Sequence, residues 1–472
     1  MKERHHSDRK SILSIVYIFL GLFLLMMGYY IYFMVMRSGD IINSTYNKRQ
    51  DILAQRVIRG EIRATDGSIL ARTVVDEDGD ELREYPYKDM FAHVVGRFYE
   101  GATGIEETEN IHLLTSNINT FEKAYHDLTG VKSLGNNVVT TLNTKLQQVA
   151  YDALGDHRGA VVVMEPATGK ILAMVSKPSY DPNHIKDNWE ELLEDKEKES
   201  PFLNRATQGL YPPGSTFKVL TTLAYIREYP DYEDYEYECD GSIKQDKMVV
   251  HCYNNKAHGK VDLTLSLVKS CNTSFANIGK MLDLDRFHSL CEDFLFNSYL
   301  PIHMASSQSS FTLQKAQSSV KEAMQTAFGQ GNTLITPMLN AMIAAAVAND
   351  GVIMKPYVID YIENAYGNPI KNYSPQEHSK PMTAEESELL AKMMREVVKK
   401  GTADDLNDMK VKAAGKTGSA DHGEGKPAHS WFIGYAPYEN PEIAISIIVE
   451  SSGTGSEYAV PIARKVFDAY FN

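Results

Sequence analysis

From Ile12 to Met36 the chain carries no charged side chain. At about 1.5 Å per residue, a helix of that length reaches past the roughly 30 Å hydrocarbon core of a bilayer, so the stretch is read as a membrane span. A cleaved signal peptide is the alternative. The apolar run is longer than a usual signal core, however, and Val35-Met36-Arg37-Ser38-Gly39 offers no small-x-small cleavage site. The reading is therefore an uncleaved anchor over 12–36 behind a tail at 1–11. Tyr29, Tyr30 and Tyr32 cluster at one end, where an aromatic belt would sit. Lys2, Arg4, Arg9 and Lys10 precede the span while Arg37, Lys48, Arg49 and Arg56 follow it, so basic residues alone leave its orientation near parity.

With 472 residues, 43% of them hydrophobic, the chain has room for two or three domains with a proper core. A net charge of -14, with no basic stripe beyond the first ten residues, argues against nucleic acid, because phosphate binding draws on clustered Lys and Arg. Cys239, Cys252, Cys271 and Cys291 are too few for a disulfide scaffold, and no CxxC pair suggests zinc or redox work. In an oxidising exterior Cys239 and Cys252 could bridge a short loop, and two unpaired thiols account for the sequence equally well.

Residues 37–135 form a charged, mixed segment in which Arg59-Gly60-Glu61-Ile62 and Asp66-Gly67-Ser68-Ile69-Leu70-Ala71 read as strand, tight turn, strand. It is too short to be an enzyme of its own. The polar, Gly-containing joint 130–137 places a domain boundary there, with residues 136–472 beyond it. Val138 to Leu142 reads as a short strand and Thr144 to Leu154 as a helix. Gly159 to Glu165 and Lys170 to Ser176 form a hairpin around Pro166-Ala167-Thr168-Gly169. Helical patterns dominate from Leu263 to Ala348, and a long helix over Ala384 to Lys400 ends at Gly401, as a C-terminal cap allows. Strands follow at Val411 to Ala420, Ser430 to Ala436 and Glu442 to Glu450, then a helix from Val460 to Phe471. Two early strands, three late ones and helices between them describe an α+β domain: one antiparallel sheet with a helical insert and a cleft between the two.

Two charged stretches invite functional readings that simpler ones displace. Lys186 to Glu199 has helical spacing, with Trp189, Leu192 and Leu193 on one side, and reads as a solvated amphipathic helix. Tyr229 to Glu238 alternates aromatic and acidic residues, which an exposed edge strand or loop explains better than a metal site.

A serine hydroxyl is a poor nucleophile until a base takes its proton, so a Ser with a base at fixed spacing is the informative pattern. Tyr211-Pro212-Pro213-Gly214-Ser215-Thr216-Phe217-Lys218 reads as a turn leading into a helix that starts near Ser215. Residues three apart on a helix are neighbours, which sets Lys218 beside Ser215, and the helix N-terminus adds positive charge there. SxxK alone is weak, since it also occurs at Ser7 to Lys10, Ser266 to Lys269 and Ser318 to Lys321. What singles out Ser215 is the Pro-Pro-Gly lead-in together with the chain's one SxN, Ser270-Cys271-Asn272, and its one KTG, Lys416-Thr417-Gly418. SxxK, SxN and KTG in that order mark penicillin-binding proteins and class A β-lactamases.

At this point the chain resembles a class B penicillin-binding protein along nearly its whole length. Arg59-Gly60-Glu61-Ile62 with Asp66-Gly67 is similar to that family's membrane-proximal start. Ala173-Met174-Val175-Ser176, Asp181-Pro182-Asn183, Asn204-Arg205-Ala206, Gly329-Gln330-Gly331, Gly415 to Ala420 and Trp431-Phe432-Ile433-Gly434 resemble its transpeptidase domain. The resemblance implies a penicillin-binding-protein/β-lactamase-like domain: a five-stranded antiparallel sheet flanked by helices, with a helical subdomain, behind a short β-rich membrane-proximal region. No second enzymatic domain fits between anchor and transpeptidase, and no accessory repeats follow the last helix.

The implied activity is peptidoglycan D,D-transpeptidation outside the cytoplasmic membrane, sensitive to β-lactams. Ser215 would attack the D-Ala-D-Ala carbonyl of a stem peptide with Lys218 as base. Ser270 would relay the proton to the leaving amine, Asn272 would hold the substrate amide and the Lys218 ammonium, and Lys416 would supply positive charge beside that relay. Thr417 and Ser419, on one face of a strand flanking Gly418, would grip the terminal carboxylate, and the backbone N–H groups of Ser215 and Ser419 would form the oxyanion hole. No metal or organic cofactor is expected. The family adds a membrane-embedded SEDS-type glycan polymerase as an expected partner. A D,D-carboxypeptidase or β-lactamase-like hydrolase, and a non-catalytic penicillin-binding scaffold or sensor, are the competing readings.

Overall fold

The computed structural model describes residues 2–36, 49–195, 199–423 and 425–472. Of the residues weighed above, Arg37 to Lys48 and Lys196 to Lys198 lie outside that set. A single helix runs Lys2–Met36, and its apolar part, the 23 residues Ile12–Met34, is long and apolar enough to cross a membrane and is not packed against the rest of the protein.

A six-stranded sheet follows, in the order Pro369–Asn372, Ile359–Glu363, Asn137–Thr140, Ile62–Arg63, Ile69–Val75, Glu81–Glu84. It draws strands from both sides of residue 135. Ile62 pairs in parallel with Val138, and Asn137 pairs antiparallel with Glu363. Side chains seal the junction: Glu363 Oε1 accepts from Arg63 Nη1 at 2.9 Å and from Asn137 Nδ2 at 3.2 Å. Below it, buried Glu106 pairs with Arg59 at 2.6 Å and Arg83 at 2.7 Å. Burial raises the Glu106 carboxyl, but the two guanidiniums outweigh burial and hold it below the usual carboxylate value.

The second sheet has five strands in the order Ala414–Ala420, His429–Ala436, Ile443–Val449, Gly159–Met164, Ile171–Lys177, with every pairing antiparallel. This is the architecture anticipated from two early and three late strands. Covered strands read as continuous apolar runs rather than alternating ones, and Ile443–Val449 and Gly159–Met164 are buried at every position. Two helix groups cover the sheet: Thr144–Leu154 with Ala459–Phe471, and Pro337–Ala348 with Ala384–Lys400. Pro337 to Val347 is buried all round, as its lack of a polar face requires.

Several local readings need adjustment. Gly401 does follow the long helix, which a Thr383–Glu386 capping box opens, but at φ -114° it is not a left-handed cap. Space is the reason for glycine there, since a Cβ would lie 2.6 Å from the Val268 carbonyl oxygen. The charged helix spans Ile185–Glu194. Trp189 and Leu192 pack against the small cluster around Tyr180 and Ile185, whereas Leu193 is exposed. Tyr229 to Glu238 ends in a short strand, Tyr237–Cys239, paired with Gly259–Val261.

The helical insert comprises Leu263–Val268, Asn272–Met281, Leu284–Asp293 and Val320–Ala327. Phe217, two residues after Ser215, contacts the rings of Phe287, Phe296 and Phe311, and so fastens the insert to the sheet domain.

Candidate active site

Ser215 lies in a 3₁₀ turn, Gly214–Phe217, that leads into the α-helix Lys218–Glu228. The helix proper thus begins one turn later than the pattern predicts. In a 3₁₀ turn, side chains three apart eclipse, which suits the Ser-x-x-Lys spacing even better than an α-turn. Gly214 has φ +55°, and a Cβ there would meet the Ser419 carbonyl oxygen at 2.7 Å, so the turn presses directly on the KTG strand. Trp431 Nε1 donates to the Pro212 carbonyl at 3.0 Å, while Thr216 Oγ1 donates to Pro213 O at 2.7 Å and accepts from Asn340 Nδ2 at 3.2 Å. Pinned from these sides, Ser215 stays partly exposed, and its Oγ bonds to no other described residue.

Lys218 Nζ points into the insert. It donates to Ser270 O at 2.8 Å, Ser270 Oγ at 3.2 Å and Asn272 Oδ1 at 2.8 Å. Lys416 Nζ comes from the opposite wall and donates to Ser270 Oγ at 3.0 Å and to Thr417 O at 2.9 Å. Both lysines are fully buried, at 0% exposure. Burial pushes the Lys218 ammonium down to about 7, against a smaller upward pull from Cys271 and Cys252. Burial, then the neighbouring Lys218, holds Lys416 well below the ordinary lysine value. Ser270 has φ +52°, a left-handed conformation uncommon for a non-glycine residue. Its oxygen accepts from two cations, which leaves its own proton to be donated elsewhere.

On the Ala414–Ala420 strand, Thr417 and Ser419 share a face by the period of two. Thr417 Oγ1 forms a short hydrogen bond with Thr402 Oγ1, and Ser419 Oγ accepts from the Gly455 N–H at 3.3 Å. Gly418 admits no larger residue easily, because a Cβ would touch Thr216 Cγ2 at 3.1 Å and Trp431 Cβ at 3.0 Å. Thus Ser270, Asn272, Lys218 and Lys416 form one hydrogen-bonded network. Ser215 stands at the head of the Lys218 helix, and the KTG strand is packed against it.

Ser266 and Ser318, which also open SxxK patterns, have structural partners. Ser266 is buried, bonding Asp262 O and Ser274 Oγ at 2.7 Å each, and Ser318 Oγ accepts from Gln314 N–H at 3.1 Å. Side-chain positions for Ser7 to Lys10 lie outside the description.

Some residues at the site escaped the sequence reading. Thr402, beside Thr417, belongs to no motif. Arg205 stands in the sequence only as the middle of Asn204-Arg205-Ala206, yet its Nε binds Glu450 Oε1 at 2.7 Å, which also accepts from Tyr211 Oη at 2.7 Å, joining the Pro-Pro-Gly lead-in to the sheet. Of the two readings of Cys239 and Cys252, the structure has the unpaired one. Cys239 and Cys252 are unbridged, with sulfurs 3.7 Å apart, and they join His258 and Cys271 in one cluster whose ligand atoms all lie within 4.8 Å. That is a candidate metal centre where none was expected. No CxxC spacing announces it, because its ligands come from separate segments.

Residues 159–468 match the penicillin binding protein transpeptidase domain, and residues 59–138 match the penicillin binding protein A dimerisation domain. The chain is 33% identical over 468 residues to the peptidoglycan D,D-transpeptidase PbpA of Mycolicibacterium smegmatis, covering 89% of this chain and 92% of that one. It is 34% identical over 470 residues to PbpA of Mycobacterium tuberculosis, with the same coverage. Among solved structures it resembles penicillin-binding protein A from M. tuberculosis as a ceftriaxone acyl-enzyme complex, with a TM-score of 0.81 and 31% identity over 90% of this chain and 100% of that one. The D,D-transpeptidase domain of a peptidoglycan glycosyltransferase from Eggerthella lenta superposes with a TM-score of 0.80 at 31% identity, over 88% and 98% of the two chains. Motif order, sheet topology and these likenesses agree, and the chain belongs to the class B penicillin-binding proteins.

Proposed function

We infer that the chain is a serine D,D-transpeptidase of peptidoglycan synthesis, acting through an acyl-enzyme on Ser215 that β-lactams also form. The observation that carries this reading is Ser270 Oγ held between the side-chain nitrogens of Lys218 and Lys416, at 3.2 Å and 3.0 Å. Lys218, in its neutral form, takes the Ser215 proton as Oγ attacks the carbonyl between the two terminal D-alanines. The proton passes through Ser270 to the leaving D-alanine amine. Asn272 Oδ1 keeps Lys218 directed at the relay, and Lys416 balances negative charge as it develops. Backbone N–H groups of Ser215 and Ser419 cradle the oxyanion, each such donor contributing roughly 3 to 4 kcal/mol. Thr417 and Ser419 receive the substrate carboxylate. An amine of a second stem peptide then resolves the acyl-enzyme.

We further assign residues 1–11 to the cytoplasm, 12–36 to the membrane, 37–135 to a membrane-proximal pedestal and 136–472 to the extracytoplasmic transpeptidase domain. A SEDS-type glycan polymerase is the proposed membrane partner, by family resemblance. The helix Thr120–Thr129, with Phe121, Tyr125 and Leu128 exposed, offers apolar side chains such a contact would cover.

Labelling with a reporter penicillin, wild type beside Ser215→Ala, tests the nucleophile: label should vanish in the variant, and persistent covalent label would overturn the assignment. Product analysis with an amine acceptor tests the reaction. Cross-linked dimer is the expected product, whereas D-alanine release alone would make the enzyme a carboxypeptidase.

A further inference from the structure

Thr417 and Ser419 share one face of the Ala414–Ala420 strand, and the hydroxyl of each has a partner. Ser419 Oγ accepts from the Gly455 N–H at 3.3 Å. An amide N–H can only donate, so the Ser419 proton is left for a ligand. Thr417 Oγ1 is bonded by Thr402 Oγ1, hydroxyl to hydroxyl. Such a pair holds two protons and uses one, so one remains unspent. Other buried threonine hydroxyls give theirs to backbone carbonyls: Thr141 to Ile171 O at 2.6 Å, Thr221 to Ala327 O at 2.8 Å and Thr222 to Lys218 O at 2.7 Å.

Thr402 is half-buried at the apex of a bend. The N–H groups of Gly401 and Ala403 both donate to Val397 O, at 3.0 and 3.4 Å, and so turn the chain where the helix Ala384–Lys400 ends. On one flank Gly401 presses on the insert, since a Cβ there would lie 2.6 Å from Val268 O, and Val268 ends the helix Leu263–Val268 two residues before Ser270. On the other flank Ala403 is buried. The backbone thus holds Thr402 between the SxN segment and the KTG strand, although it belongs to neither motif. The direction of its bond to Thr417 matters. Were Thr417 the donor, its proton would be spent, and it could offer a carboxylate only lone pairs. With Thr402 donating, Thr417 Oγ1 accepts and its own proton is free, and a hydroxyl that accepts becomes a stronger donor. We propose that Thr402 is a positioning residue for the substrate carboxylate: its hydroxyl donates to Thr417 Oγ1 and directs the Thr417 proton to the terminal carboxylate of the stem peptide, the part that the Gly455 amide plays for Ser419. Thr402 acts through Thr417 and touches no substrate itself.

The proposal rests on the reading of Thr417 and Ser419 as the partners of the carboxylate. Its test uses full-length protein in detergent and two probes, a fluorescent penicillin that carries a carboxylate and the methyl ester of the same penicillin, which does not. The second-order acylation constant is measured for each. Thr402→Val keeps the side-chain shape and removes the hydroxyl, so the constant for the acid should fall about tenfold, the weight of a hydrogen bond to a charged group, while the constant for the ester changes far less. Thr402→Ser should restore the preference for the acid. A merely structural loss would slow acid and ester together, so equal slowing of both, or an unchanged preference for the acid, would overturn the proposal. If Thr402→Val fails to fold, Thr402→Ala, which only removes atoms, carries the same comparison. Thr417→Val separates the proposal from the reading beneath it. Should that variant keep the full preference for the acid, the carboxylate assignment falls and the proposal with it; should it lose the preference while Thr402→Val keeps it, the positioning role alone fails.

Discussion

Lys416 Nζ donates to Ser270 Oγ at 3.0 Å across 146 residues of chain, and Lys218 reaches the same oxygen at 3.2 Å from the other side. One hydroxyl therefore joins the KTG strand, the helix behind Ser215 and the helical insert.

Replacing Lys416 with Met should keep the strand and remove the charge. The expected result is a fall of about 10²–10⁴ in the acylation rate constant, the range for loss of a proton-transfer partner. Stopped-flow acylation with a reporter β-lactam measures it. A variant within threefold of wild type would show that Lys416 has no part in the relay.

Acylation should depend on pH through Lys218. Burial lowers its ammonium to about 7, and only the neutral amine can accept the Ser215 proton. The rate should therefore rise about tenfold per pH unit below that value and level off above it. A profile that is flat through neutrality, or that rises only near the ordinary lysine value, would contradict this role.

Gly214→Ala tests how tightly the turn at Ser215 is held. At φ +55° any L-residue costs roughly 1–2 kcal/mol, and the added Cβ would press on the Ser419 carbonyl at 2.7 Å. The turn should shift, lowering both the Tm and the acylation rate. Thermal melts beside penicillin labelling would report it, and wild-type values in both would mean the turn has slack.

Glu106→Gln should destabilise the six-stranded sheet by about 3–5 kcal/mol, because Arg59 and Arg83 would be left buried without their counter-charge. The folded carboxyl lies below its unfolded value, so its contribution is present above the unfolded value and is lost as pH falls through the folded one. Denaturant unfolding of both proteins at neutral and acid pH should show the difference between them shrinking in acid.

Much of the fold was legible in the sequence because local physics writes it there. The uncharged run Ile12–Met34, the helices Thr144–Leu154 and Ala384–Lys400 and the apolar strands of the five-stranded sheet each declare themselves within a few neighbouring residues. The ordered set Ser215/Lys218, Ser270/Asn272 and Lys416/Thr417/Gly418 likewise named the chemistry. Chain path decided the rest. Asn137–Thr140 looks like any short strand, and only tertiary pairing assigns it to the six-stranded sheet beside Ile62–Arg63 and Ile359–Glu363. The tighter turn at Ser215 follows from its packing on Ser419 rather than from helix propensity. Cys239, Cys252, His258 and Cys271 carry no spacing signal because their convergence depends on two small hairpins folding over a helix start. Periodicity and motif are properties of neighbours in sequence, whereas a four-residue cluster and a hydroxyl held between two lysines exist only after distant segments have paid the entropy of meeting.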